Sequence, residues 1–499
     1  MEISLSRRVL RHGRLNPHAP ALFGHGRTTT YRELLGLAAT AAAGLGPRDG
    51  REPAGDPVRP AALVAAKSPA AVAVVLGALL VRRPLLLVSP ELGEEALTAL
   101  LSATGAERLP DPEELVAGTA VRSGAGPAGE PATFDGDPGN TALLLTTSGS
   151  TGLPKVVPLS FGAVDRFTGW AAEHFGLTPE STVLSHAPLN FDLCLLDIWA
   201  TLGSGGCVSL VDQGLAGNPA HLQETLQARP VDLVQGVPLL YDLLARTGAH
   251  FGSVRHVLVT GEAMAPRAFA ALPELFPGAR FHNVYGCTET NDSFVHEIDP
   301  AGPMPYGSLP LGREPVPGAE AWVRADDGSV LRGPGRGELV VRTPFQATGY
   351  LVAGPAESPF VAGPDDGPVP WYRTGDLVRR HEDGTLTLEG RRDFVVKVRG
   401  VRINTAEVEA ALSAHREIVE AAVLALPDER AGKRLHAVVR RAEGSRLNNL
   451  SLRQYLAQRL PRAAVPSTVA WAEAPLPRTS TGKVDRALVA RPVPAPAGD

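Results

Sequence analysis

Residues Thr146 to Lys155, TTSGSTGLPK, gather two glycines, five hydroxyl side chains and a lysine into one turn. Glycines leave backbone N–H groups unhindered, hydroxyls donate hydrogen bonds and a lysine adds positive charge, which together suit a polyphosphate. The lysine does not directly follow a glycine, so the segment is not a Walker loop. A second lysine of interest, Lys483, sits in a Ser-Thr-Gly-Lys turn far along the chain. It could reach the same phosphates only if the segment carrying it folds over the rest.

The elements that must hold these groups are legible as alternating patterns. Short apolar runs, AALVAA, PLLLV, ALLLTT, CVSLV, VDLVQ, VRHVLVTG and RFHNV, alternate with longer periodic stretches between about residues 60 and 285. That alternation indicates a layered α/β architecture. The Gly- and Pro-rich stretch 122–140 reads as a surface loop leading into the strand ALLLTT. After GRGELVVRT the pattern turns β-rich, and a charged turn at Gly390 to Asp393 precedes VVKVRG and the helix AEVEAALSAH, with Asn404 and Glu407 as a capping box. A boundary is expected there: 1–391 as a large α/β domain, 392–499 as a small α+β lid built on IVEAAVLAL, KRLHAVVRR and the helix SLRQYLAQRL.

With 499 residues, two or three domains are expected. The net charge of -5 and the scattered Lys and Arg argue against a nucleic-acid partner. No apolar run approaches a membrane span of roughly 20 residues, and MEISLSRRVLRHG lacks the apolar stretch of a signal peptide, so a cytoplasmic protein is expected. Cys194, Cys207 and Cys287 stand far apart, each expected to pack as a small hydrophobe.

TTSGSTGLPK resembles the phosphate loop of the adenylate-forming superfamily, which includes acyl-CoA ligases, luciferases and peptide-synthetase adenylation domains. Four further segments resemble that family's motifs in its order: NVYGCTET (283–290), WYRTGDLV (371–378), GRRDFVVKVRGVRIN (390–404) and RTSTGKVDR (478–486); TYREL near 30 and LPRAAVP near 460 also fit. The resemblance implies the superfamily's fold, with a large N-terminal domain and a mobile lid. It implies that Thr146, Thr147, Ser148, Gly149, Ser150, Thr151, Gly152 and Lys155 cradle the phosphates of ATP. Glu289 would help hold Mg²⁺, Thr288 would bind the α-phosphate, and Tyr285, Asp376 and Arg391 would hold the nucleoside. Lys483 becomes the lysine of the adenylation step and Asp393 the hinge, with Lys397, Gly400 and Arg402 on a second, thioester-forming face.

LSHAPLNFDLCLLDIW (184–199) is similar to amino-acid adenylation domains, in which Asp192 would pair with a substrate α-ammonium and His186 would gate the thiol tunnel. The remaining pocket positions carried over are Leu193, Leu196, Gln235, Leu258, Thr260, Val284, Asp292 and Ser293. The pattern is most similar to stand-alone prolyl-activating enzymes and D-alanyl carrier protein ligases, yet Gln235, Thr260, Asp292 and Ser293 are more polar than the prolyl pattern. A small or polar amino acid such as alanine, glycine or serine is therefore expected, with a diamino acid as the alternative if Asp292 points inward. An unpaired buried carboxylate is costly, so Asp292 must meet a donor or water. No carrier-domain serine motif follows Lys483, and the acceptor is expected to be the phosphopantetheine thiol of a discrete carrier protein. Two rival readings remain: an acyl-CoA synthetase for a non-amino acid, which leaves Asp192 without a task, and an inactive nucleotide- or carrier-binding relative.

Overall fold

Every residue from Ala70 to Leu80 of the helix Pro69–Leu80 is buried. A helix apolar all round belongs inside a protein, between two layers that cover both its sides. Gly77 allows its closest approach: a Cβ there would lie 2.8 Å from the Ala38 carbonyl oxygen of the neighbouring helix Tyr31–Leu45. That neighbour starts at the TYREL segment, where Thr30 and Glu33 form a capping box. Tyr31 is fully buried and donates its hydroxyl to the Leu202 and Gly206 carbonyls, at 3.1 and 2.9 Å.

The computed structural model describes residues 3–24, 26–46, 59–122, 137–147, 154–264, 266–302, 306–352, 357–364, 367, 369–398, 401–428, 432–460, 464–479 and 484–490. Most of the loop expected at 122–140 lies outside them. A five-stranded sheet contains the strands Ala61–Val64, Leu85–Val88 and Thr141–Thr147, which pair in parallel as Leu63 with Leu87 and Leu85 with Leu143. An eight-stranded sheet contains β1 (Thr182–Ser185), β2 (Cys207–Leu210), β3 (Leu233–Gly236), β4 (His256–Val259), β5 (Arg280–Cys287) and β6 (Asn291–Ile298). Strands β1 to β4 are short and mostly buried, as expected of parallel strands covered on both faces. Between residues 310 and 391 a six-stranded sheet follows, the β-rich segment read from the pattern.

The C-terminal domain has a core of its own, with Ile403, Val408, Leu412, Val423, Leu435 and Leu452 packed together. Its three-stranded sheet takes Ile418–Asp428 and Gly432–Arg441 in antiparallel register and adds Thr468–Ala472 in parallel. The expected helices appear as Thr405–Ser413 and Asn449–Ala457. The Asn404 side chain of the expected capping box lies outside the described residues. Among the described residues no helix is long and apolar enough to cross a membrane. Cys194 and Cys207 are buried as expected, whereas Cys287 is only partly so.

Candidate active site

The Gly-rich loop is the tip of a β-hairpin. Strands Thr141–Thr147 and Lys155–Ser160 pair antiparallel, with Thr146 opposite Val156 and Thr147 opposite Lys155. Thr146, Thr147 and Lys155 therefore stand together at the mouth of the hairpin. Ser148, Gly149, Ser150, Thr151 and Gly152 lie outside the described residues. Lys155 holds its ammonium 4.9 Å from the centre of the Tyr350 ring, and the Tyr350 hydroxyl donates to Glu289 Oε1 at 2.6 Å. One tyrosine thus ties the hairpin lysine to the carboxylate of NVYGCTET.

That carboxylate sits in a tight turn between β5 and β6. The register shifts after Tyr285 so that Gly286 opposes Asp292, and a Cβ on Gly286 would come 2.2 Å from the Asn291 carbonyl oxygen. Asn291 has φ of 53° and donates its side-chain amide to the Phe345 carbonyl at 2.9 Å. Thr343 Oγ1 donates to the Thr290 carbonyl at 2.7 Å and the Ala347 N–H to that of Glu289 at 2.9 Å. These bonds pin the turn and leave Glu289 buried with Thr288 partly exposed beside it. Among the described residues no three His, Cys, Asp or Glu side chains converge as a metal cage. A single carboxylate suits Mg²⁺, which binds largely through phosphates and water.

Asp376 lies at the next edge. It opposes Arg391 across the strands Trp371–Arg380 and Leu386–Arg391, and Arg391 Nη1 donates to its Oδ1 at 3.0 Å. Tyr285 donates its hydroxyl to the other oxygen, Oδ2, at 2.5 Å. Burial, then the neighbouring Asp376 charge, push the Tyr285 hydroxyl well above the usual tyrosine range, so it stays a donor.

The pocket positions gather at the C-terminal ends of the parallel strands, where α/β sheets place their ligands. Gln235 of β3 pairs in register with Leu258 of β4, and Leu258 with His282 of β5, one pair below Val284. Thr260 follows β4 and its N–H donates to the Gly236 carbonyl at 3.0 Å. Leu196, Leu258 and Val284 are buried in one core cluster. Leu193 and Asp192 lie in the turn leading to a π-helix, Leu195–Ala200, and both are partly exposed. Ser293 is fully buried, its hydroxyl spent on Thr290 Oγ1 and the Asn291 carbonyl.

Three buried side chains in this region have oxygens without a hydrogen-bond partner among the described residues: Asp292 at Oδ2, Gln235 at Oε1 and Asp197 at both. Burial and the facing Asp192 push the Asp292 carboxyl up to about 7. Burial likewise raises Asp197 well above the carboxylate range, opposed by Lys67. Lys67 spends its three protons on the Ser185 carbonyl (2.5 Å), Ser185 Oγ (3.0 Å) and the Ala187 carbonyl (2.8 Å), and burial lowers it to about 8. His186 donates Nε2–H to the Ala216 carbonyl at 3.0 Å; burial holds it down at about 4, so it is a neutral ring.

Asp393 lies in a short turn, Arg392–Phe394, where its side chain, like those of Lys397 and Arg402, falls outside the described residues; Gly400 does so entirely. Lys483 is also outside them, but the ends of its turn are described: Arg478 bridges to Val484, and the Asp485 N–H donates to the Pro477 carbonyl at 2.8 Å. Arg478 is anchored on Glu420 at 2.6 Å. Tyr350, Lys67 and Asp197 were not singled out from the sequence. The signal available was charge in an apolar setting: Lys67 separates two apolar runs, and Asp197 interrupts LCLLDIWA.

Residues 9–351 match the AMP-binding enzyme domain. The chain belongs to the AMP-binding enzyme family. The C-terminal domain of AMP-binding enzymes matches residues 407–483. An L-proline–L-prolyl-carrier protein ligase of Pseudomonas fluorescens is 36% identical over 360 residues, covering 71% of this AMP-binding enzyme and 69% of that protein. The phenyloxazoline synthase of Mycobacterium tuberculosis is 32% identical over 96% of the chain, which spans only 34% of that synthase. In structure, the o-succinylbenzoate CoA synthetase of Bacillus subtilis matches with a TM-score of 0.80 at 22% identity, over 99% of each chain, and shows the fold. This AMP-binding enzyme is thus an adenylating ligase related to amino acid carrier protein ligases.

Proposed function

We propose that this enzyme uses ATP and Mg²⁺ to activate a small or polar amino acid as its aminoacyl-adenylate, releasing pyrophosphate, and then loads it onto the phosphopantetheine thiol of a discrete carrier protein. The observation that carries the reading is the braced Tyr285, Asp376 and Arg391 group, and it is supported by Asp192 in the turn leading to the π-helix that carries Leu196, itself buried in one core cluster with Leu258 and Val284. A fatty or aryl acid offers no cation to Asp192, whereas an α-ammonium does.

In the first step a carboxylate oxygen of the amino acid attacks the α-phosphorus, the bond from that phosphorus to the bridging oxygen breaks, and pyrophosphate leaves with the electron pair. Thr146, Thr147, Ser148, Gly149, Ser150, Thr151, Gly152 and Lys155 would orient the phosphates, and Thr288 the α-phosphate. Asp376 and Arg391 would fix the ribose, with Tyr285 holding Asp376. Mg²⁺ would neutralise phosphate charge that otherwise repels the incoming carboxylate, with Glu289 as its protein ligand and Tyr350 setting that carboxylate's orientation. Lys483 would stabilise charge at the α-phosphorus, brought over the site by the small domain, 392–499, turning about Asp393. In the second step the thiolate sulfur attacks the acyl carbon and AMP departs; neutral His186 would guard that approach, and Lys397, Gly400 and Arg402 would face the carrier.

Amino-acid-dependent ATP–pyrophosphate exchange tests the reading, with fatty and aryl acids as controls. Exchange with an α-amino acid is expected. Exchange with non-amino acids alone would return the acyl-CoA synthetase reading, and none with any carboxylate the inert binder.

A further inference from the structure

Hydrogen-bond accounting in the pocket is one-sided. Buried polar groups are normally paired, and those without a partner require an explanation. Two such atoms lie at the pocket positions. Asp292 is 8% exposed and Gln235 2%, and Asp292 Oδ2 and Gln235 Oε1 have no donor among the described residues. Two nearby donor groups are already spent: the Ser293 hydroxyl on the turn, and all three Lys67 protons on Ser185 and Ala187. Asp197 of the π-helix is fully buried, and neither of its oxygens has a partner among the described residues.

Candidate side chains differ in what they bring to such a site. A methyl group or a pyrrolidine ring brings no donor to these acceptors. A hydroxyl brings one donor and no charge, so an ionised Asp292 stays uncompensated. An ammonium brings three donors and one positive charge. The apolar floor of Leu196, Leu258 and Val284 is fully packed, which limits the length of the side chain that carries it.

We infer that the substrate is an α-amino acid with a second amine on a short side chain, its α-ammonium on Asp192 and its side-chain ammonium held by Asp292 and the Gln235 carboxamide oxygen. The inference rests on the amino acid activation proposed above and narrows its substrate class.

The test is ATP–pyrophosphate exchange by the full-length enzyme with 2,3-diaminopropionate, 2,4-diaminobutyrate, ornithine and lysine, against alanine, serine, 2-aminobutyrate, homoserine and proline. A site built to bond a polar substrate group rejects the analogue lacking it strongly, so kcat/KM for a short diamino acid is expected to exceed that of its neutral isostere by about a hundredfold or more. Asp292→Asn should shrink that ratio to below about tenfold, by weakening the diamino substrate selectively. Equal or better exchange with a neutral amino acid or proline by the wild-type enzyme overturns this inference while leaving the activation of amino acids standing. Exchange with no amino acid overturns both. The wild-type comparison decides the matter even if the Asn variant does not fold.

Discussion

Asp292→Asn should stabilise the free enzyme, and more so as pH rises. The folded carboxyl titrates at about 7 against an ordinary value of 3.8, because burial and the Asp192 charge penalise the ionised form. Folding therefore favours the proton. The associated stability is fully present below 3.8 and is lost as pH climbs to about 7. A shift of about 3 units corresponds to roughly 4 kcal/mol, an upper bound on what the ionised group costs above pH 7. At pH 5.5 about half of that remains unspent, so moving to pH 8.5 should cost the wild type about 2 kcal/mol that the neutral amide does not lose. The charged neighbours, Asp192, Asp197 and Lys67, are common to both proteins, so the difference between them isolates position 292. The assay is denaturant unfolding of both at pH 5.5 and 8.5. A wild-type-to-variant gap that stays constant between the two pH values would refute the placement of Asp292 as an unpaired buried acid.

Three further outcomes follow from the same geometry. Affinity for an amino acid with a short ammonium side chain should rise about tenfold from pH 6 to 8, since that side chain needs Asp292 ionised; calorimetric titration reads it, and a flat profile would detach the ligand from Asp292. Tyr285→Phe removes one of the two described donors to Asp376 and should raise KM for ATP about three- to tenfold, the effect of one lost hydrogen bond of about 1 kcal/mol; an unchanged KM would mean that Asp376 does not bind nucleotide. Lys483→Ala should retain ATP binding yet lower the exchange rate by about a hundredfold or more, the signature of a group acting in the transition state; an unaltered rate would remove Lys483 from the chemistry.

The fold was readable because its strands are short apolar runs set in a repeating α/β pattern, and VDLVQ, VRHVLVTG and RFHNV became neighbours in the sheet that bears the pocket. Type and order of elements follow from local periodicity, which one sequence displays. Contacts across the chain do not. Tyr350 lies 61 residues beyond Glu289, and only folding shows that its hydroxyl bridges toward Lys155. The π-helix at Leu195–Ala200 has no periodic signature separate from an α-helix, yet it carries Asp197 in a fully buried position. The burial of Asp292 was likewise not legible in the sequence, because the register shift after Tyr285 decides which residue Gly286 opposes.

The two halves of the site are braced in opposite ways, and this has a consequence for binding. Asp376 already accepts from Tyr285 and Arg391, but each carboxylate oxygen has two lone pairs, so ribose hydroxyls can be added without breaking either bond. On the nucleotide role proposed for Asp376, ATP would meet this group ready-made, with little reorganisation to oppose binding. At Asp292, Asp197 and Gln235, by contrast, buried oxygens lack a donor among the described residues, and their desolvation has already been incurred in folding. A ligand that supplies those donors would recover a cost the apoenzyme bears, and on the inference above selectivity would come less from shape than from what the wrong side chain leaves unpaired. On the substrate inferred above, side chains that fit but bring no donor would be disfavoured, so that a site beside Leu196, Leu258 and Val284 would discriminate against small apolar amino acids.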